Sequence, residues 1–212
     1  MGLSRHEIAS VIVAADPAFE PLLSHVGPPP ARRGAPVSQR FADLIQSISH
    51  QLLATKAAST IHARVVDLLE GRVEAEAVLA LSTDELRAVG LSRTKAEAMR
   101  ELAACSLRGD IDFSRHGRLS DQDIANELTQ VRGIGPWTAQ MYLMFTLGRP
   151  DVWPAGDFGV RHGWSVLHEL EQIISEADLR RAGDAFVGVR SSVADYCWAA
   201  VDESGWLTAR AE

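Results

Sequence analysis

The sequence predicts an all-α protein. Apolar residues recur at the three- and four-residue spacing of helices along nearly the whole chain of 212 residues. No segment alternates apolar and polar residues as a half-buried strand would, and no Asn-Gly pair marks a two-residue β-hairpin. The hydrophobic content of 46% is ordinary for a globular protein.

Local signals place the individual helices. Ser82 or Thr83 suits the N-cap of one helix, with Glu85 close behind. Residues 27–36, which contain most of the N-terminal prolines, form the clearest loop and separate two short helices from the rest. In chain order we expect helices at 6–14, 18–25, 37–50, 55–69, 75–80, 83–89, 93–107, 121–130, 137–147, 158–170, 176–186 and 189–203.

The most informative segment is residues 131–139, which read VRGIGPWTA. Gly133 and Gly135 can adopt positive φ and let a ligand approach the backbone, and Pro136 suits the first turn of a helix. The segment lies between helices 121–130 and 137–147, so it forms a helix, a hairpin and a helix. Backbone amides at such a turn suit a phosphate oxygen. An ordinary glycine-capped turn between two helices is the alternative.

A second segment, residues 154–159, reads PAGDFG and places Asp157 before a helix. Asp is a preferred N-cap, and a cap would hold this carboxylate in place. Asp157 lies only 20 residues after Trp137 of the hairpin. An acid so close in sequence to a turn that suits a phosphate could also be catalytic. Capping and catalysis are compatible.

These two segments resemble the helix-hairpin-helix/Gly-Pro-Asp superfamily of DNA base-excision glycosylases, and most closely its alkylpurine branch. Residues 41–58, 86–96 and 190–198 resemble the early helix pair, the central turn and the last helix of that family. The resemblance implies a single glycosylase domain over 1–212, built from two closely packed helical subdomains with a cleft between them. They comprise 37–150, with the hairpin at 121–147, and 1–36 plus 151–212.

The resemblance also implies an activity. A monofunctional glycosylase flips an alkylated purine such as 3-methyladenine out of the duplex and hydrolyses its N-glycosidic bond, in base excision repair. Asp157 would stabilise the oxocarbenium-like transition state and orient the attacking water. Strand-nicking relatives carry a Lys where this chain has Trp137. The alternatives are a non-catalytic helix-hairpin-helix DNA-binding protein and a glycosylase for deaminated or oxidised bases.

By the same resemblance, further residues receive roles. Trp137 is expected to stack on the cationic base. Three other aromatic residues complete the expected base pocket: Tyr142, Trp153 and Trp164. The wedge that fills the gap in the duplex is expected among Gln51, Leu52 and Leu53, with Leu52 favoured. Contacts to the DNA backbone are expected from Arg132, Gly133, Ile134, Gly135, Thr138 and Lys95.

No organic cofactor is expected. The resemblance allows a monovalent cation, Na⁺ or K⁺, on the backbone carbonyls of Thr129, Val131 and Gly133. Two cysteines are too few for a four-thiolate iron–sulfur cluster. The net charge of −7 argues mildly against DNA binding, but a glycosylase contacts few phosphates. We expect a monomer that binds double-stranded DNA with alkylated bases and no membrane, in the cytoplasm, with the nucleoid if bacterial.

Overall fold

The computed structural model describes residues 2–51 and 55–202, and every regular element in those residues is helical. The fold class predicted from the sequence is confirmed. The chain divides into two units, one formed by Met1–Arg32 with Arg149–Glu212 and the other by Arg33–Gly148. Within residues 2–51 and 55–202, none of the helices combines the length and the hydrophobicity of a membrane span.

The unit that contains both termini has five α-helices among its described residues: α1 (Arg5–Ala15), α2 (Glu20–Val26), α10 (Phe158–Leu167), α11 (Glu176–Ala182) and α12 (Arg190–Asp202). Its core is aromatic. Phe19 is fully buried and meets the rings of Trp164, Phe186 and Tyr196 edge-on, at centroid distances of 5.8, 5.8 and 6.4 Å. A Cβ on Gly163 would lie 1.7 Å from the Cys197 carbonyl oxygen, so α10 can pack on α12 only through glycine.

The other unit holds seven α-helices among its described residues: α3 (Val37–His50), α4 (Thr55–Leu68), α5 (Ala75–Ala80), α6 (Thr83–Ala88), α7 (Arg93–Arg108), α8 (Asp121–Leu128) and α9 (Pro136–Met141). A π-helical turn, Tyr142–Thr146, follows α9 without a break. α3 buries an apolar stripe that includes Leu44, Ile45 and Ile48. Spacings of one, three and four residues put these side chains on one face, which packs into the core.

Serine caps begin several of the helices and explain why they start where they do. The Ser82 hydroxyl accepts from the Glu85 amide, and the Glu85 carboxylate accepts from the Ser82 amide, which forms a reciprocal capping box at α6. This confirms the first of the two N-cap positions expected there. Ser92 and Ser120 cap α7 and α8 in the same manner, through the amide three residues on.

A buried polar network connects the two helices of the hairpin. The His116 ring is fully buried, with Nδ1 2.8 Å from the Tyr142 hydroxyl and Nε2 2.9 Å from Glu127 Oε1. Glu127 belongs to α8 and Tyr142 to the π-helical turn. Because buried polar groups are costly to leave unpaired, this network holds α8 and the helix after the hairpin in one arrangement.

Candidate functional site

The predicted hairpin is present between α8 and α9. Its turn is anchored by Val131 and Ile134, which are 1% and 4% exposed. Arg132, Gly133 and Gly135 lie at the surface of the same turn. The turn therefore presents one charged side chain and two glycine backbones to solvent, which suits contact with an anionic polymer.

The two glycines of the hairpin serve different purposes. Gly133 has φ +93°, and a Cβ there would lie 2.6 Å from the Cβ of Ala98 on α7. Gly135, the N-cap of α9, has an ordinary φ of −97°, and a Cβ there would meet nothing within 4 Å. Only Gly133 adopts the positive φ that the sequence allowed at both. Gly133 is needed for packing inside the protein, whereas Gly135 keeps open space in front of the backbone.

Two of the residues expected to contact the DNA backbone, Ile134 and Thr138, are buried in this turn. The Ile134 amide donates to the Val131 carbonyl at 3.0 Å, and its side chain is buried, so Ile134 has no donor to offer a phosphate. Thr138 is 2% exposed, and its hydroxyl accepts from Gln51 Nε2 at 2.9 Å. These residues hold the turn together. The roles predicted for Arg132, Gly133 and Gly135 are compatible with their positions.

Lys95 was also expected to contact the DNA backbone, but the structure places its ammonium group inside the protein. Lys95 is 8% exposed, and its Nζ donates to the Ser49 carbonyl at 2.9 Å. Burial lowers the pKa of the ammonium below its usual value. A cation at the last turn of α3 stabilises the carbonyl end of that helix. Lys95 therefore fastens α7 to the end of α3 instead of meeting a phosphate.

Gln51 was expected as one wedge candidate, but its side chain is held on the hairpin. Nε2 donates to the Gly133 carbonyl at 3.0 Å and to Thr138 Oγ1 at 2.9 Å. A side chain that makes both bonds cannot at the same time enter a duplex. Gln51 instead ties the end of α3 to the hairpin. The other two wedge candidates, Leu52 and Leu53, lie outside the described residues.

Asp157 occupies the N-cap of α10, as its sequence position predicted. The carboxylate Oδ1 accepts from the Val160 amide at 2.8 Å. The same oxygen accepts from the indole Nε1 of Trp198, on α12, at 3.0 Å. The residue is half-buried. Two donors from two helices fix the orientation of this carboxylate, because charge-assisted hydrogen bonds are stronger than neutral ones.

Trp198 is a site residue that sequence reasoning did not single out. Its approach to Asp157 depends on Gly159, where a Cβ would lie 2.8 Å from Trp198 Cδ1 and 3.0 Å from Nε1. The sequence feature that could have indicated a large neighbour is the second glycine of the GDFG segment, two residues after the acid. That glycine makes room for a large side chain from elsewhere in the chain.

Three of the four expected base-pocket aromatics are core residues. Tyr142 is fully buried, and its hydroxyl pairs with His116. Trp164 is 6% exposed, and one face of its indole stacks on His168 at 4.2 Å. Trp153 is 8% exposed, and its Nε1 donates to the Leu179 carbonyl at 2.8 Å. Each of these rings therefore packs in the core of its own unit, and its predicted role in the base pocket stays a prediction.

Trp137 differs from the other three, because it is half-buried and retains accessible surface. It occupies the second position of α9, next to the exposed backbone of Gly135. The predicted stacking role of Trp137 stays a prediction.

The carbonyls expected to hold a monovalent cation have suitable chemistry. The Val131 carbonyl accepts from the Ile134 amide, and the Gly133 carbonyl accepts from Gln51, each at 3.0 Å. A carbonyl oxygen has two lone pairs, so one bond of this kind leaves room for a hard cation. Among the described residues, no group of three or more His, Cys, Asp or Glu side chains could hold a metal ion.

Together, the all-helical fold, the glycine hairpin and the capping aspartate define a helix-hairpin-helix protein of the DNA-repair class. The chain belongs to the HhH-GPD superfamily of base excision DNA repair proteins, whose pattern it matches over residues 45–187. The resemblance deduced from the sequence is confirmed.

Individual relatives agree with the family. The chain is 30% identical over 186 residues to DNA-3-methyladenine glycosylase 1 of Schizosaccharomyces pombe, covering 86% of this chain and 82% of the relative. A solved structure of a 3-methyladenine DNA glycosylase from the same yeast, in complex with abasic DNA, superposes with a TM-score of 0.85 at 28% identity, over 91% of this chain and 95% of that one. A DNA-3-methyladenine glycosidase from Bacillus halodurans gives a TM-score of 0.77 at 30% identity, over 93% and 91% of the two chains.

Proposed function

We propose that this protein is a monofunctional DNA glycosylase that releases alkylated purines, such as 3-methyladenine, from double-stranded DNA in base excision repair. The single observation that carries the proposal is Asp157, whose carboxylate is held by the Val160 amide and the Trp198 indole. The family and the names of the relatives support the same activity.

The chemistry requires a fixed carboxylate. An alkylated ring nitrogen gives the purine a positive charge, so the bond between C1′ and the base is already weak. As that bond breaks, its electron pair neutralises the base and leaves an oxocarbenium-like sugar. Asp157 stabilises this cation electrostatically and accepts a proton from the water that forms the new C1′–O bond. A carboxylate held in advance costs little reorganisation in the transition state.

The hairpin would hold the DNA strand. Gly135 leaves open space before its backbone, and the Arg132 side chain is exposed beside it. Backbone amides and one arginine can then contact phosphates without a strongly basic surface, which reconciles the activity with a net charge of −7. The carbonyls of Thr129, Val131 and Gly133 would hold a monovalent cation, which would supply positive charge at the hairpin for binding DNA.

Trp137 explains why the enzyme would stop at an abasic site. An enzyme that also nicks the strand needs an amine nucleophile to form a Schiff base with C1′. An indole has no such amine, whereas its face attracts a cationic ring. The product is therefore a free base and an intact, abasic strand.

The test compares Asp157→Asn with the parent on methylated DNA, with Asp184→Asn as the control of matched charge at an exposed position. Asn is also a good N-cap, so the variant removes the charge and keeps the helix start. We expect base release to fall by about two to four orders of magnitude, with DNA binding retained. Undiminished release by Asp157→Asn would refute the catalytic role, and a parent that binds methylated DNA but releases nothing would indicate a non-catalytic recognition protein.

A further inference from the structure

The carboxylate of Asp157 is held unevenly, because both donors described above meet the same oxygen. The Val160 amide lies 2.8 Å from Oδ1, and the indole Nε1 of Trp198 lies 3.0 Å from it. A carboxylate oxygen has two lone-pair sites, so these two N–H groups fill both sites of Oδ1. Oδ1 therefore has no site left for the proton of an attacking water.

Only one of the two bonds belongs to the helix cap. An aspartate at an N-cap accepts from an amide two or three residues on, and the bond from Val160 is of this kind. The indole comes from α12, a separate helix of the same unit, and the cap does not need it. The bond from Trp198 therefore serves a purpose other than beginning α10.

The packing of α10 on α12 sets the position of the indole. A Cβ on Gly159 would lie 2.8 Å from Trp198 Cδ1 and 3.1 Å from Asp157 Oδ1. Gly163, one turn later on the same face of α10, meets the backbone of Cys197, the residue before Trp198. Two glycines of one helix thus bring the indole and the carboxylate together.

A neighbouring aromatic residue of α12 shows what a bond for packing alone looks like. Tyr196 is 2% exposed, and its hydroxyl donates to the Gly27 carbonyl at 3.0 Å. A neutral carbonyl is sufficient to satisfy a buried donor. Trp198 is only half-buried and gives its N–H to a carboxylate, in a charge-assisted bond that is roughly twice as strong as a neutral one.

We propose that Trp198 is a positioning residue that divides the work of the Asp157 carboxylate between its two oxygens. The inference rests on the proposed function. Oδ1 is held by the two N–H groups, and Oδ2 accepts the proton of the water. The electron pair of the breaking bond leaves with the base, and the oxygen of the water forms the new bond to C1′. Because two donors on Oδ1 stop the carboxylate from turning, Oδ2 keeps one direction throughout the reaction.

The experiment compares Trp198→Phe with Tyr196→Phe under single-turnover conditions on methylated DNA. Each variant keeps an aromatic ring on α12 and loses one side-chain donor, but only the first loses a donor to Asp157. We expect Trp198→Phe to slow base release about 10- to 100-fold, with unchanged DNA affinity. Tyr196→Phe should release base within about twofold of the parent rate and show its cost in Tm.

A spectroscopic measurement tests the same bond without relying on either variant. In the ¹⁵N-labelled protein, the indole N–H resonance of Trp198 should move on Asp157→Asn, because its acceptor loses its charge, and stay in place on Asp184→Asn. The inference is overturned if that resonance does not move, or if Trp198→Phe releases base as fast as Tyr196→Phe. A slower rate with an equal loss of DNA affinity would also overturn it, since Trp198 would then serve packing. Failure of the proposed function would show separately, as a parent enzyme that releases no alkylated base.

Discussion

Replacing Gly133 with alanine tests the structural reading of the hairpin. At φ +93° an alanine is strained by roughly 1–2 kcal/mol. Its Cβ would also lie 2.6 Å from the Cβ of Ala98, well inside the optimum of about 3.5–4.0 Å, and overpacking of this kind costs about 1–3 kcal/mol. The sum is about 2–5 kcal/mol, a large part of the ~5–15 kcal/mol that typically stabilises a domain.

The assay is thermal and urea unfolding of Gly133→Ala beside Gly135→Ala. We expect the first to lower Tm by about 10 °C and the second to change stability by less than about 1 kcal/mol, because a Cβ there meets open space. Adding Ala98→Gly should recover the steric part of the loss, though not the cost of the positive φ. Gly135→Ala should instead weaken DNA binding by about tenfold, since its methyl group fills the space that a phosphate needs. Equal stability of the two alanine variants, or no rescue by Ala98→Gly, would refute the reasoning.

The other predictions concern Gln51 at the end of α3, and the loss of thermal stability at low pH in the unit that contains both termini. Gln51→Leu loses both hydrogen bonds to the hairpin and should lower the free energy of unfolding in urea by about 1–2 kcal/mol. An unchanged free energy of unfolding would contradict the conclusion that Gln51 ties the end of α3 to the hairpin. Although burial alone would raise the pKa of Asp151, hydrogen bonds from Arg190 and the Gly188 amide lower it below its usual value, so its stabilising effect is present at neutral pH and lost on acidification. Melting curves between about pH 5 and pH 3 should therefore show a smaller loss of Tm for Asp151→Asn than for the parent, and identical slopes would argue against that ion pair.

The helices were predictable because their signal is local. Apolar spacing and serine caps depend only on neighbouring residues, and each of the twelve expected helices corresponds to an α-helix among the described residues. What the sequence could not indicate is the π-helical turn. The apolar run at 137–147 fits one continuous α-helix, and a single widened turn changes its spacing too little to be seen.

The sequence could predict the parts of the site that depend on neighbouring residues, but not those that depend on contacts between residues far apart in the chain. Asp157 caps its own helix, so its neighbours in sequence disclosed its position. Its second donor, Trp198, lies 41 residues away, Lys95 meets Ser49 across 46 residues, and Gln51 meets Gly133 across 82. No pattern in a single sequence specifies such pairs.

The burial of the aromatic side chains could not be predicted, for a related reason. Tyr142, Trp153 and Trp164 carry the residue types of a base pocket, but the same rings also make good core residues. Exposure separates the two uses, and exposure depends on the packing of several helices.

The most direct test of the central claim is the identity of what the parent enzyme releases from methylated genomic DNA. Mass spectrometry of the small-molecule fraction should detect 3-methyladenine or 7-methylguanine as free bases. The DNA strands should remain intact until alkali or an amine cleaves them at the abasic sites. Release of no alkylated base, or strand breaks without added alkali or amine, would contradict hydrolysis that depends on the carboxylate of Asp157 alone.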